Sequence, residues 1–157
     1  MRYVITIALV LFGYLSGSVL YAELFTNIIC KKSLFEVSEN GNPGTANAFI
    51  YGNKVCGILA VIGDLLKGII PVMIYVKLFG ITSPAIAIIM SAPVIGHGCS
   101  CFYHMRGGMC IATSFGVFIG LLPIWEPLVC LIVFYLTLLM IPGIHNSIRT
   151  IITFIGT

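Results

Sequence analysis

An apolar run from Val55 to Leu78 carries an aspartate and a lysine, Asp64 and Lys67, near its middle. The run is long enough to cross a bilayer as a helix, the form in which a single segment satisfies its own backbone groups in lipid. Asp64 then lies ~15 Å along the helix from Lys54, near the centre of a ~30 Å hydrocarbon core. A charge at that depth is expensive and marks a functional position unless it is neutralised. The i, i+3 spacing lets Asp64 and Lys67 pair with each other. A structural ion pair and a substrate contact are both compatible with the pattern. Gly68 and Pro71 predict a kink just beyond Lys67.

Four further apolar runs follow the same logic: Tyr3 to Leu24, Ile81 to Phe102, Met109 to Trp125, and Leu128 to Ile144. The expectation is an all-α, polytopic integral membrane protein of about five transmembrane helices, folded as a single domain over residues 1–157. Composition agrees, because only 8% of the 157 residues are charged, against about 25% in soluble domains. The start resembles a signal peptide, but the first run is long enough to span and others follow it, so it is expected to stay as a helix. Gly13/Gly17 and Gly116/Gly120 form two G-x-x-x-G faces suited to close helix packing. Residues His145 to Thr157 form a run too short to span and are expected at the interface. A net charge of +3, scattered along the chain, gives no nucleic-acid footprint. Cys99-x-Cys101 is a weak metal signal without a second pair, and no metal site is expected.

Basic residues orient the chain. Lys31, Lys32, Lys54, Arg106 and Arg149 fall on one side of the predicted spans, and Arg2 and Lys77 on the other. The richer side is cytoplasmic. This places the N-terminus outside and the C-terminus in the cytoplasm, with a multi-pass location in the cell membrane.

Two glycine-bearing loops then face the same side. One is the polar segment Lys31 to Lys54, with Gly41-Asn42-Pro43-Gly44 and Asn47; the other lies within Val94 to Gly116. In the second, His97 ends one span, and Arg106, Gly107 and Gly108 precede the next. Glycines before a helix leave N–H groups open at its positive end, and Arg106 adds a cation suited to phosphate. The alternative is a plain Gly-Gly turn between two helices, just as Asn42-Pro43-Gly44 is turn chemistry in its own right.

Four blocks occur in order: GYLSGS (Gly13 to Ser18), GNPGTAN (Gly41 to Asn47), GDLLKGIIPV (Gly63 to Val72) and GHGCSCFYHMRGGMCIATSFGV (Gly96 to Val117). Their order and spacing resemble the bacterial membrane glycerol-3-phosphate acyltransferases of the PlsY type, of which this chain looks like a divergent and C-terminally short member. The resemblance implies acyl transfer from acyl phosphate to the 1-hydroxyl of glycerol 3-phosphate, giving lysophosphatidic acid, with no cofactor. It implies substrate-binding roles for Gly41, Asn42, Gly44, Asn47, Asp64, Lys67, Arg106, Gly107, Gly108 and Thr113. His97 is the expected catalytic residue, as a base, unless the substrate's own phosphate serves.

The chain also departs from the family pattern. Glu39 and Asn40 stand where Gly-Ser is usual, and Glu36 and Ile50 where arginines are expected. Met109 and Cys110 replace the Lys-Gly of a GGKG loop, and the usual C-terminal His/Asn/Glu block is missing. Each lost charge-assisted bond to phosphate is worth ~1.5–3 kcal/mol. The alternative function is therefore a catalytically impaired membrane scaffold of the same fold that binds a lipid phosphate or a partner subunit. A small transporter built on Asp64 and Lys67 ranks last, because no inverted repeat is visible.

Overall fold

In a computed structural model, residues 1–141 and 152–153 are described. They are helical, with no strand among them. The elements are α1 (Arg2–Ser18), α2 (Tyr21–Cys30), α3 (Leu34–Val37), α4 (Thr45–Asn47), α5 (Lys54–Phe79), α6 (Ile86–Gly98), α7 (Ile111–Ile119) and α8 (Glu126–Leu139). The end of the expected fifth span and most of the expected interfacial tail lie outside the described residues.

The central helix is α5, whose bounds match the Val55–Leu78 run closely. Asn53 caps it, its side-chain oxygen accepting from the Cys56 N–H at 2.9 Å. The helix continues through Pro71 and stops at Gly80, whose φ of +76° suits glycine.

The expected first span is two helices. Chain direction changes by 41° between α1 and α2, with Val19 and Leu20 outside both. Serines prepare the break: Ser16 and Ser18 donate to the carbonyls of Gly13 and Tyr14, competing with the helical pattern. The two carbonyls freed at the break are both bonded within the protein, in a buried position at Ser18 and a half-buried one at Val19. Ser18 accepts from the Ser100 hydroxyl at 2.6 Å, and Val19 from the Lys67 ammonium at 2.7 Å. Irregular backbone at membrane depth survives where protein groups satisfy it in this way.

The expected third span starts later, at Ile86 instead of Ile81. Pro84 disfavours helix at the residue before it, and a turn occupies that stretch. The expected fourth span is shorter than the sequence suggests. Cys110 precedes α7 in a left-handed conformation, and a turn closes it at Gly120 to Pro123. Among the described residues, α5 and the segment Ile86–Tyr103 are each long and apolar enough to cross a membrane, and α1 with α2 makes a third if the bent pair counts as one.

Small residues set the packing. A Cβ at Gly17 would meet the Pro93 backbone, and one at Gly96 the Tyr14 carbonyl, so α1 and α6 touch backbone to backbone. A Cβ at Gly68 would meet Thr113 and Gly116, and one at Gly116 would meet the Leu65 backbone, so α5 and α7 do the same. Both G-x-x-x-G faces are therefore helix contacts. Many outward residues, such as Val55, Ile58, Ile62, Leu66, Ile88 and Ile95, are apolar and exposed. That is the surface a lipid-embedded protein presents.

Candidate active site

Helices α5 and α6 bring Asp64, Lys67 and His97 together. All three side chains are buried. The Lys67 ammonium lies 2.8 Å from Asp64 Oδ1 and 2.7 Å from His97 Nδ1, besides its bond to Val19. The Asp64 contact is an ion pair without hydrogen-bond alignment, since Oδ1 accepts no directed bond. Asp64 Oδ2 instead accepts from the Thr45 hydroxyl at 3.2 Å. The pair is thus structural and adjacent to the site at once. It neutralises two charges at depth, and it joins α5 to the α1–α2 break, to α6 and to the first loop.

That loop is built by asparagines. Gly41 takes φ +58°, a turn position that favours glycine. The Asn47 side chain donates to the Asn42 carbonyl at 2.7 Å and to Asn40 Oδ1 at 3.0 Å, and Oδ1 of Asn40 also accepts from the Asn42 N–H at 3.1 Å. Asn47 and Gly41 shape the loop; Asn42, Gly44 and Thr45 are what it presents.

The second loop turns tightly after α6. Met105 N–H bonds the Ser100 carbonyl at 2.8 Å, and Gly108 N–H bonds the His97 carbonyl at 3.0 Å. Any Cβ at Gly107 would strike the His97 and Gly98 carbonyls, and one at Gly108 would meet His97 Nε2. The glycine pair is therefore required for the return of the chain over His97. This spends the Gly108 N–H, one of the N–H groups expected for phosphate.

A cavity of about 250 Å³ opens where these parts meet. Asn42, Gly44 and Thr45 line it from the first loop, Asp64 from α5, and His97 from α6. Met109, Cys110, Ile111 and Ala112 line it from the start of α7, with Phe115 and Tyr135 beyond. The opening turn of a helix has unpaired N–H groups and a partial positive charge. The cavity lining thus combines polar groups of the first loop, Asp64 and His97 with the start of α7 and apolar side chains. The lining contributions of Thr45, Met109, Cys110, Phe115 and Tyr135 were not picked out as site residues from sequence.

Other expected residues stand elsewhere. Arg106 is turned away from the cavity. Its guanidinium stacks on the Phe35 ring at 5.1 Å, in a separate surface hollow shared with Glu36, Tyr103 and His104. Thr113 is fully buried on the α7 face that packs against α5, with its hydroxyl unbonded, and does not line the cavity. Gly41, Asn47, Lys67, Gly107 and Gly108 do not line the cavity; Asn47 bonds the lining residue Asn42, Lys67 meets Asp64 and His97, and Gly107 and Gly108 pack on His97.

Comparison with known proteins places this arrangement. Residues 7–156 match the model of the family described as glycerol-3-phosphate acyltransferase. A glycerol-3-phosphate acyltransferase of Laribacter hongkongensis is 32% identical over 97% of this chain and 75% of its own length. One from Syntrophotalea carbinolica is 31% identical over 74% of this chain, and the match spans 59% of that relative's length. The crystal structure of PlsY, an integral membrane glycerol 3-phosphate acyltransferase, in its glycerol 3-phosphate form superposes with a TM-score of 0.80. It is 30% identical, over 96% of this chain and 73% of the PlsY chain. With the all-helical architecture and the ordered sequence blocks, these matches show an integral membrane protein that belongs to the glycerol-3-phosphate acyltransferase family.

Proposed function

We propose that the chain transfers an acyl group from acyl phosphate to the 1-hydroxyl of glycerol 3-phosphate, forming lysophosphatidic acid. The observation that carries this reading is the likeness to PlsY in two forms, the glycerol 3-phosphate form and a lysophosphatidic acid form with a TM-score of 0.76. The cavity supports it, with donors at the start of α7 for a phosphate and apolar walls for part of an acyl chain. In the reaction a bond forms between the glycerol oxygen and the acyl carbon. The bond from that carbon to the phosphate oxygen breaks, its electron pair stays on phosphate, and the hydroxyl proton passes to an oxygen base. Phosphate is a good leaving group, so positioning and charge stabilisation dominate. Asn42, Gly44 and the start of α7 are the proposed substrate contacts, held by Gly41, Asn47, Asp64, Lys67, Gly107 and Gly108.

The proposed setting is a multi-pass position in the cell membrane. About five spans form one domain, with the N-terminus outside and the C-terminus and both glycine loops in the cytoplasm. The basic residues Lys31, Lys32 and Lys54 support that orientation.

The test is acyl transfer by the purified chain in detergent, with palmitoyl phosphate and labelled glycerol 3-phosphate. Lysophosphatidic acid is the expected product. A folded, helical sample that makes none overturns the reading in favour of a scaffold that binds a lipid phosphate or a partner subunit.

A further inference from the structure

We infer that Lys67 fixes the tautomer of His97, so that His97 serves the acyl transfer as a hydrogen-bond donor through Nε2–H and not as its base. The inference rests on the acyltransferase reading and assigns a role within that site. An ammonium has three N–H groups and no acceptor. With Lys67 Nζ 2.7 Å from His97 Nδ1, the ring nitrogen must present its lone pair. A proton on Nδ1 would point at a cation. Asp64 Oδ1 lies 3.6 Å from the same Nδ1, too far to hold a proton there by hydrogen bonding. Lys67 itself is kept as an ammonium by Asp64 at 2.8 Å and by the Val19 carbonyl at 2.7 Å. The single proton of the neutral ring therefore sits on Nε2.

Nε2 lies over Gly108, in the space a Cβ there would occupy, and His97 lines the cavity beside Met109, Cys110 and Ala112. With Nδ1 taken, Nε2–H is the polar group His97 has left to offer. It joins the N–H groups at the start of α7 as a donor to an oxygen of the acyl phosphate's phosphate group. That group gathers the electron pair as the acyl–oxygen bond breaks. His97 keeps its proton throughout, and the hydroxyl proton of glycerol goes to a phosphate oxygen. Lys67 is a positioning residue that acts through His97.

The experiment uses the whole chain in detergent, labelled with 15N-histidine, with the His97 signals identified by their loss in His97→Gln. The Nε2–H tautomer is expected in the unsubstituted chain, and a tautomer mixture in Lys67→Met. In turnover, His97→Ala is expected to lose ~10²–10³ in kcat, as for removal of one donor to a developing anion. His97→Gln places an amide N–H near Nε2 but is no base, and should recover ~10-fold or more of that loss. An Nδ1–H or doubly protonated ring in the unsubstituted chain overturns the inference, as does a folded His97→Gln no faster than His97→Ala. If the unsubstituted chain makes no lysophosphatidic acid, the acyltransferase reading falls and takes the donor role with it. The tautomer would still be read from the spectrum.

Discussion

The Lys67 ammonium donates to the Val19 carbonyl at 2.7 Å, joining positions 48 residues apart in the chain. The bond exists because α1 ends at Ser18 and leaves that carbonyl outside any helix. A continuous first span would have bonded Val19 within itself and left Lys67 one acceptor short. The bend between α1 and α2 and the charge in the middle of α5 are therefore one device. The first exposes an acceptor, and the second supplies the cation that needs it.

Lys67→Met should be strongly destabilising, because it strands the Asp64 carboxylate in a buried site and frees the Val19 carbonyl. Removing one partner of a buried pair costs ~3–5 kcal/mol. Adding Asp64→Asn to Lys67→Met should return part of that loss, since the stranded charge is gone. Denaturation midpoints of the three variants in one detergent check it. A double variant as unstable as Lys67→Met alone would show that the Val19 bond, and not the ion pair, carries the stability.

Gly116→Val should push α7 off α5. Its Cβ would meet the Leu65 backbone, which has no side-chain rotamer to yield. Overpacking of this kind costs ~1–3 kcal/mol. The thermal midpoint should fall, and turnover with it, because the start of α7 forms the cavity wall.

How much of this was legible in the sequence varies with the range of the interaction. Helix α5, its buried pair and both small-residue faces follow from local pattern, since one charge in an apolar run and glycines four apart leave few choices. The break after Ser18 was hidden, because Gly17 reads as half of a small-residue packing face and the partners that hold the break lie on α5 and beyond α6. The positions of Arg106 and Thr113 relative to the cavity were not legible for a related reason. Sequence puts both beside the glycine loop, but the left-handed residues His104 and Met105 twist the turn, and Arg106 settles on Phe35. Thr113 lies on the α7 face that Gly116 and Gly120 commit to packing.

Asn47→Ala should separate loop order from fold. Two bonds that close the first loop disappear, each worth ~0.5–1.5 kcal/mol. The bundle packs elsewhere, so the thermal midpoint should move little. Asn42 and Gly44 lose their fixed placement in the cavity wall, and KM for glycerol 3-phosphate should rise. An unchanged KM would remove the first loop from the binding site.

Arg106 and Met109 give opposite expectations from neighbouring positions. Arg106 faces Phe35 and not the cavity, so Arg106→Ala removes an exposed cation–π contact worth ~0.5–1 kcal/mol and should change KM for glycerol 3-phosphate less than about threefold. Met109 lines the cavity, where the one nearby lysine, Lys67, is already committed to Val19, Asp64 and His97. Met109→Lys should add a cation beside the proposed phosphate contacts and lower KM for glycerol 3-phosphate ~10-fold, the worth of one charge-assisted hydrogen bond. Steady-state kinetics on the two variants decide between the two placements. A large loss in Arg106→Ala with no gain in Met109→Lys would mean that Arg106 leaves Phe35 to meet the substrate, and that the phosphate sits nearer the surface hollow than the start of α7.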